Sequence, residues 1–396
     1  LTFPQAPIYI HSVGITCALG NDIQRVERAL FAHAPESPLH ISTHYSEFPV
    51  RLGQVADNLP AVDVPGEDSR NNRILAQALQ PLRADIDALK SQFGAHRIGI
   101  ILGSSTSGVA ETEQVMRFDG ERYSLPEAYD YRTQELYAPA RFASRSLGLS
   151  GPCWTVSTAC TSGSKALASA ARLLRLGVCD AVVAGGVDSL CKMTVNGFAS
   201  LSVTTDSQCN PFSVNRSGIN IGEGAAVFIL SRDPASVRLL GWGETSDAHH
   251  ISSPEPEGRG AEGAMRAALQ SAGLEANAID YLNLHGTATR QNDEMEAKAV
   301  HRVFGSEIAC GSTKSLTGHT LAAAGAIEAA FCWLGLQRND GQLPPQLWDG
   351  QADPALPPLN GLARRAIDRP LRYAMSNSFA FGGNNLSLIM GRERSS

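Results

Sequence analysis

The chain has no basic excess. Its 33 Lys and Arg stand against 39 Asp and Glu, a formal net charge of -6 over 396 residues, which excludes the broad positive footprint of a nucleic-acid binder. An acidic partner could dock only on a local basic patch that whole-chain charge does not reveal. There is no C-x-x-C pair: the eight cysteines are scattered, so neither a structural zinc site nor a disulfide scaffold is expected, and the thiols read as reduced. The stretch Leu1-Thr-Phe-Pro-Gln-Ala-Pro lacks a basic segment followed by an apolar run, so no signal peptide is expected and the location reads as cytoplasmic. No apolar run reaches membrane-spanning length. The most apolar long segment, 321–336, is interrupted by Gly325, Glu328 and Gly335 and reads as a buried helix. The loop Gly103-Ser-Ser-Thr-Ser-Gly lacks the lysine of a phosphate-binding GxxxxGK[ST] loop, which argues against a nucleotide site.

What is present is an ordinary globular composition, 43% hydrophobic and 18% charged, with 37 glycines for tight turns. Single hydrophobic cores stop growing at roughly 250 to 300 residues, so the length predicts two halves, placed at 1–237 and 238–396. A strand is expected from Ile8 to Thr16, ended by Gly14 and the Leu19-Gly-Asn turn, with Asn21 capping a helix over 22–32. One strand is read at 51–55 and one or two helices over 70–89, broken at Pro81. The apolar runs after Arg97 and Asp180 have the pattern of strands buried on both faces. In the second half, strands at 279–284 and 308–312 alternate with helices at 260–272, 293–304 and 321–336. Two strands joined by a glycine turn follow Arg372. This alternation predicts an α/β fold. The tyrosines at 123, 129, 131 and 137 lie among alternating charges, either a solvated amphipathic loop or a subunit or substrate-tunnel surface.

The stretch from Val156 to Ala168 runs from an apolar strand through Cys160 into a helix of small residues. A helix start leaves N-H groups unpartnered and favours an anion beside it, so it can lower a thiol pKa and make the sulfur nucleophilic. The alternative is a small buried hydrophobe. Three more polar residues follow predicted strand ends: His285, Lys314 and His319. Each taken alone reads as a hydrogen-bonded structural histidine or a surface cation. Together they offer what a cysteine nucleophile requires, neutral N-H donors and a positive field that keeps imidazoles uncharged.

Four segments resemble the elongating β-ketoacyl-acyl-carrier-protein synthases, Claisen-condensing enzymes of the thiolase fold. They are Thr158-Ala-Cys160-Thr-Ser, His285-Gly-Thr-Ala-Thr-Arg-Gln-Asn-Asp293, Thr313-Lys314-Ser-Leu-Thr-Gly-His319 and Asn377-Ser-Phe379-Ala-Phe381-Gly382-Gly-Asn-Asn385. The resemblance spans nearly the whole chain. It implies a duplicated five-layer αβαβα fold, usually dimeric, with no metal and no redox cofactor.

It also implies roles. Cys160 takes an acyl group from a carrier protein or coenzyme A, and the N-H groups of Cys160 and Phe381 hold the oxyanion. His285 and His319 bind the malonyl thioester carbonyl as decarboxylation forms an enolate. Lys314 holds the histidines, with Glu328 and Asp293 as structural support. Phe379, Phe381 and Gly382 belong to the gate loop. Thr287 and Thr289 bind the pantetheine amides, and Arg216, near the tunnel mouth, contacts the phosphopantetheine of the carrier. Ala380, Asn384 and Asn292 depart from the family pattern, which bears on gate mobility and chain preference. A specialised polyketide or aryl-polyene branch with a chain-length-factor-like partner is suggested. The alternatives are a thiolase, which would carry a second cysteine where Phe381-Gly-Gly-Asn stands, and a chain-length-factor-like subunit, which would lack Cys160.

Overall fold

The computed structural model describes residues 6–393. Two five-strand units have the same topology. The first contains β1 (Ile8–Cys17), β2 (Ile98–Gly103), β3 (Cys153–Val156), β4 (Ala181–Asp188) and β5 (Gly224–Ser231). The second contains β6 (Val237–Ser246), β7 (Tyr281–Asn283), β8 (Cys310–Gly311), β9 (Tyr373–Phe379) and β10 (Asn384–Arg392). The spatial orders are β3-β2-β4-β5-β1 and β8-β7-β9-β10-β6, which is third, second, fourth, fifth, first in both. In each unit the first three strands of that order run parallel and the last two pair antiparallel. The units meet where Ile8–Ile10 pair with Val237–Leu239.

The strands of the first unit are apolar on both faces. Ile98, Ile100 and Leu102 point outward with Val183 and Val227, whereas Ile101, Val182 and Phe228 point inward. Helices therefore cover both sides, as parallel-rich sheets require. Outside lie α1 (Arg70–Leu79) and α2 (Ala138–Leu147), and inside lies α3 (Ser162–Arg175). The second unit has α4 (Arg259–Ala272) and α5 (Arg290–Phe304) outside and α6 (Ala324–Gln337) inside. Helices α3 and α6 pack together between the sheets, giving the αβαβα layering. The last of these, α6, is buried at nearly every position, which its apolar character on all faces demands.

Three expectations change in detail. Gly14 lies inside β1 instead of ending it, because the strand passes directly under α1. A methyl group there would stand 1.8 Å from the Ala78 carbonyl oxygen. Asp22, not Asn21, caps the helix Ile23–Leu30, accepting from the Arg25 N-H at 2.8 Å. Asn21 instead accepts from the Thr16 hydroxyl and donates to Asn58. The helix expected from Asp293 begins at Arg290, one turn earlier.

Candidate active site

Cys160 sits in a tight elbow between β3 and α3. Ala159 adopts a φ of 51°, a left-handed conformation disfavoured for alanine, and local hydrogen bonds hold it there. The Ser162 hydroxyl donates to the Ala159 carbonyl at 2.6 Å and accepts from the Thr158 N-H at 2.9 Å, while the Thr161 hydroxyl donates to the Thr158 carbonyl at 2.7 Å. Gly103 at the end of β2 admits the helix start: a methyl group there would stand 2.6 Å from the Gly163 nitrogen. The elbow aims the sulfur at residues that follow the strands of the second unit.

His285 follows β7 and is only 2% exposed. Its peptide is clamped on both polar atoms. Glu296 on α5 accepts from the His285 N-H at 2.8 Å and the Gly286 N-H at 2.7 Å, and the Lys314 ammonium donates to the His285 carbonyl at 2.6 Å. The same ammonium lies 3.4 Å from His285 Nδ1 and pairs with Glu328 on α6. His319 brings Nε2 to 3.0 Å from Cys160 Sγ, with its own backbone held by Asn220 and Gly222. The two imidazole rings meet edge to face, centroids 5.3 Å apart. Phe379, at the end of β9, presents its ring to His285 at 6.2 Å. The turn after it places Phe381 against Phe198 and gives Gly382 a φ of 83°. Gly382 donates to the Ile251 carbonyl at 2.8 Å, tying the turn to the neighbouring loop.

Burial keeps both histidines neutral. Desolvation lowers each well below the usual imidazole value, and the Lys314 charge pushes the same way. The thiol of Cys160 behaves differently from the expectation of a depressed pKa. Burial pushes it up to about 11, outweighing Lys314 and the N-H groups of Phe381 and Cys160, which lower it. The resting group is therefore a thiol. Those two N-H groups approach the sulfur. Burial also raises Asp293 to about 6 and Glu296 and Glu328 to about 7.

A cavity of about 620 Å³ opens onto Cys160, His285, His319, Phe379 and Phe381. Thr287 and Thr289 line it too, their hydroxyls 2.9 Å apart. Sγ and the histidine nitrogens lie within 4.8 Å of one another, near enough to hold a soft cation, but the adjacent Lys314 ammonium disfavours one.

Arg216 is largely buried. It borders the cavity yet is 7% exposed, pairing with Asp353 at 2.5 Å and donating to the Ser213 carbonyl. Asp293 lies 4.0 Å from its Nε and accepts from the Phe212 and Ala288 N-H groups, so it organises the loops around the site. Of the tyrosines, Tyr129 is anchored on Thr112 at 2.5 Å, whereas Tyr123, Tyr131 and Tyr137 are exposed, Tyr123 against Phe118.

Two carboxylates were not singled out from sequence. Glu296 lies one turn after Asp293 on α5, and that spacing was the available signal. Asp188 ends β4 and accepts from Ser104, Ser105 and Thr106 on one side and the Ala322 N-H on the other. It thereby joins the first unit to the segment just after His319.

Comparison with known proteins agrees with this geometry. Residues 70–235 match the β-ketoacyl synthase N-terminal domain and 237–348 its C-terminal domain. The chain is 35% identical over 319 residues to 3-oxoacyl-[acyl-carrier-protein] synthase 2 of Staphylococcus aureus, covering 74% of this chain and 77% of that protein. Its fold is similar to a chain in the complex of the ketosynthase ApeO with its chain length factor ApeC from Xenorhabdus doucetiae. The TM-score is 0.89 and the identity 42%, over 99% of this chain and 100% of the other. The ishigamide ketosynthase/chain length factor is also similar, with a TM-score of 0.85 and 25% identity over 99% and 100% of the two chains. A buried Cys-His-His cluster over a deep cavity, in a duplicated αβαβα scaffold matched along most of its length, places the chain in the β-ketoacyl synthase family of chain-elongating acyltransferases.

Proposed function

We propose that this chain performs a decarboxylative Claisen condensation on acyl-carrier-protein thioesters, with Cys160 as nucleophile. The observation that carries the reading is the convergence of the Cys160 sulfur and two neutral imidazoles at the floor of one cavity. In the first half-reaction His319 receives the thiol proton, Sγ attacks the acyl thioester carbonyl, and the carrier leaves as its thiol with that proton. The N-H groups of Cys160 and Phe381 stabilise the tetrahedral oxyanion. In the second, His285 and His319 donate to the malonyl thioester oxygen while the carboxylate departs as carbon dioxide. The enolate carbon then attacks the acyl-Cys160 carbonyl, the C-S bond breaks, and the departing thiolate takes one proton from solvent to restore the thiol. The bonds balance without oxidation or reduction, so this reading assigns no resident metal or redox cofactor.

Lys314 and Glu328 hold His285 in place, and Thr287 and Thr289 offer hydroxyls to the amides of the thioester arm. We further propose a dimer in which the partner is a chain-length-factor-like subunit. Support comes from the two similar structures, each of a ketosynthase with a chain length factor. The exposed rings of Phe118, Tyr123 and Tyr131, together with the half-buried edge strand β3, provide an apolar surface for it. No helix among the described residues is long and apolar enough to cross a membrane. Eight free thiols suit a reducing compartment, and we assign the cytoplasm.

The test is intact mass spectrometry of the chain, in the assembly in which it purifies, after exposure to a panel of acyl-carrier proteins, followed by malonyl-carrier protein. The reading expects a thioester adduct on Cys160 and then an elongated β-ketoacyl product. An adduct that appears only with coenzyme A esters, with thiolysis of β-ketoacyl-coenzyme A, would favour a thiolase instead.

A further inference from the structure

The segment from His285 to Arg290 runs from the floor of the cavity to its mouth. His285 is 2% exposed and Thr287 6%, Thr289 is half-buried, and Arg290 is exposed, yet all four line the same cavity. Its charged lining consists of Arg216, Asp247 and Arg290. Two of these are already engaged. Arg216 is bound to Asp353, and Asp247 accepts from Asn385 and the Glu255 N-H. Arg290 has no ion pair and no side-chain hydrogen bond among the described residues. Asp353, the acid on which its charge acts, is committed to Arg216.

Two neighbouring features also favour an anion. Arg290 is the first residue of α5, so the unpartnered N-H groups of that helix start lie beside its side chain. Thr289, the N-cap residue, does not cap the helix with its hydroxyl and shares it with Thr287 instead. Deeper in the same wall, Arg216 Nε is buried without a hydrogen-bond partner, its nearest carboxylate oxygen 4.0 Å away on Asp293.

We infer that Arg290, with the start of α5, is the anchor for the phosphate at the outer end of the thioester arm, the role expected of Arg216. This rests on the reading of the cavity as a carrier-thioester site. The order along the segment fits such an arm: imidazole at the thioester, paired hydroxyls at the amides, guanidinium at the phosphate. A guanidinium suits that end because its donors match two phosphate oxygens at once.

The experiment compares acylation of Cys160 by acyl-pantetheine, acyl-4'-phosphopantetheine, acyl-coenzyme A and acyl-carrier protein, read by intact mass against time. Wild type, Arg290→Ala and Arg290→Lys are used as full chains in the assembly in which each purifies. Wild type is expected to react about tenfold more efficiently with the phosphorylated arm than with acyl-pantetheine. In Arg290→Ala that ratio should fall towards one, and Arg290→Lys should restore part of it. High salt should shrink the wild-type ratio and leave that of Arg290→Ala little changed. Unchanged thermal unfolding would show that the exposed substitution has not disturbed the fold. A ratio that survives Arg290→Ala, or is absent in wild type, overturns the inference while leaving the condensing function standing. A loss confined to acyl-carrier protein also overturns it, because Arg290 would then meet the carrier's surface and not its phosphate. A loss shared by both phosphorylated small esters supports it, and their relative rates show whether the carrier or the coenzyme A arm is preferred. If no thioester acylates wild-type Cys160, the proposed function itself fails and takes the subsite with it.

Discussion

His319 Nε2 and Cys160 Sγ lie 3.0 Å apart although they belong to different halves of the duplicated fold, 159 residues apart in sequence. Neither group is charged at rest, since burial raises the thiol and lowers the imidazole. Proton transfer between them then accompanies attack on a thioester instead of preceding it.

This sets the pH dependence of alkylation. With the thiol pushed up to about 11, the rate of Cys160 labelling by iodoacetamide should climb about tenfold per pH unit from pH 7 through 9, with no plateau. The six other buried cysteines should label later, because they do not line the cavity. Peptide mapping across the pH series checks both points, and a plateau below pH 8 would show that the helix start and Lys314 outweigh desolvation.

The half-reactions should separate. His319→Ala should acylate Cys160 more slowly, because the thiol has lost its proton acceptor, and should release carbon dioxide from malonyl-carrier protein about 100 to 1000-fold more slowly, the usual loss for one oxyanion donor. Cys160→Ala should decarboxylate without condensing. Acyl-enzyme mass and carbon dioxide release, measured on both variants, decide the matter; normal decarboxylation by His319→Ala would reassign that histidine.

Lys314 and Glu328 form a buried pair, and removing one member of such a pair typically costs about 3 to 5 kcal/mol. Lys314→Met should therefore unfold earlier, and more so at pH 8 than at pH 6. The sign follows from Glu328, whose folded pKa of about 7 lies above its unfolded value. Its contribution to stability is full below the unfolded pKa and is lost as pH rises through the folded one. Thermal unfolding at the two pH values measures this, and an equal loss at both would mean that Glu328 is not the responsive group.

Arg216→Ala should behave as a packing and ion-pair defect. Loss of a nearly buried guanidinium leaves Asp353 and Asp293 without their cation, so the unfolding midpoint should drop. The salt dependence of carrier recognition should stay close to wild type. A variant of normal stability with altered salt dependence would instead give Arg216 a part in carrier recognition.

How far the sequence reached differs from residue to residue. The buried strands, the glycine turns and the αβ alternation were legible because local periodicity and side-chain chemistry determine them. Cys160, His285, Lys314 and His319 stood out because each lies in a polar segment beyond an apolar strand. Glu296 and Asp188 did not, since an acidic residue on a helix or at a strand end carries no local sign that two N-H groups, or two hydroxyls and three N-H groups, will converge on it.

By itself, then, the sequence determined which elements form, which residue types carry the chemistry and which family they belong to. Only the tertiary structure decided the charge states and the partners. A pKa depends on what surrounds a group in three dimensions: the helix start beside Cys160 suggested a thiolate, but the packing of both halves around it removes more solvation than that field returns. In the same way, Arg216 and Arg290 are both arginines near a motif, and it is the placement of Asp353 that buries and neutralises one and leaves the other facing the cavity mouth.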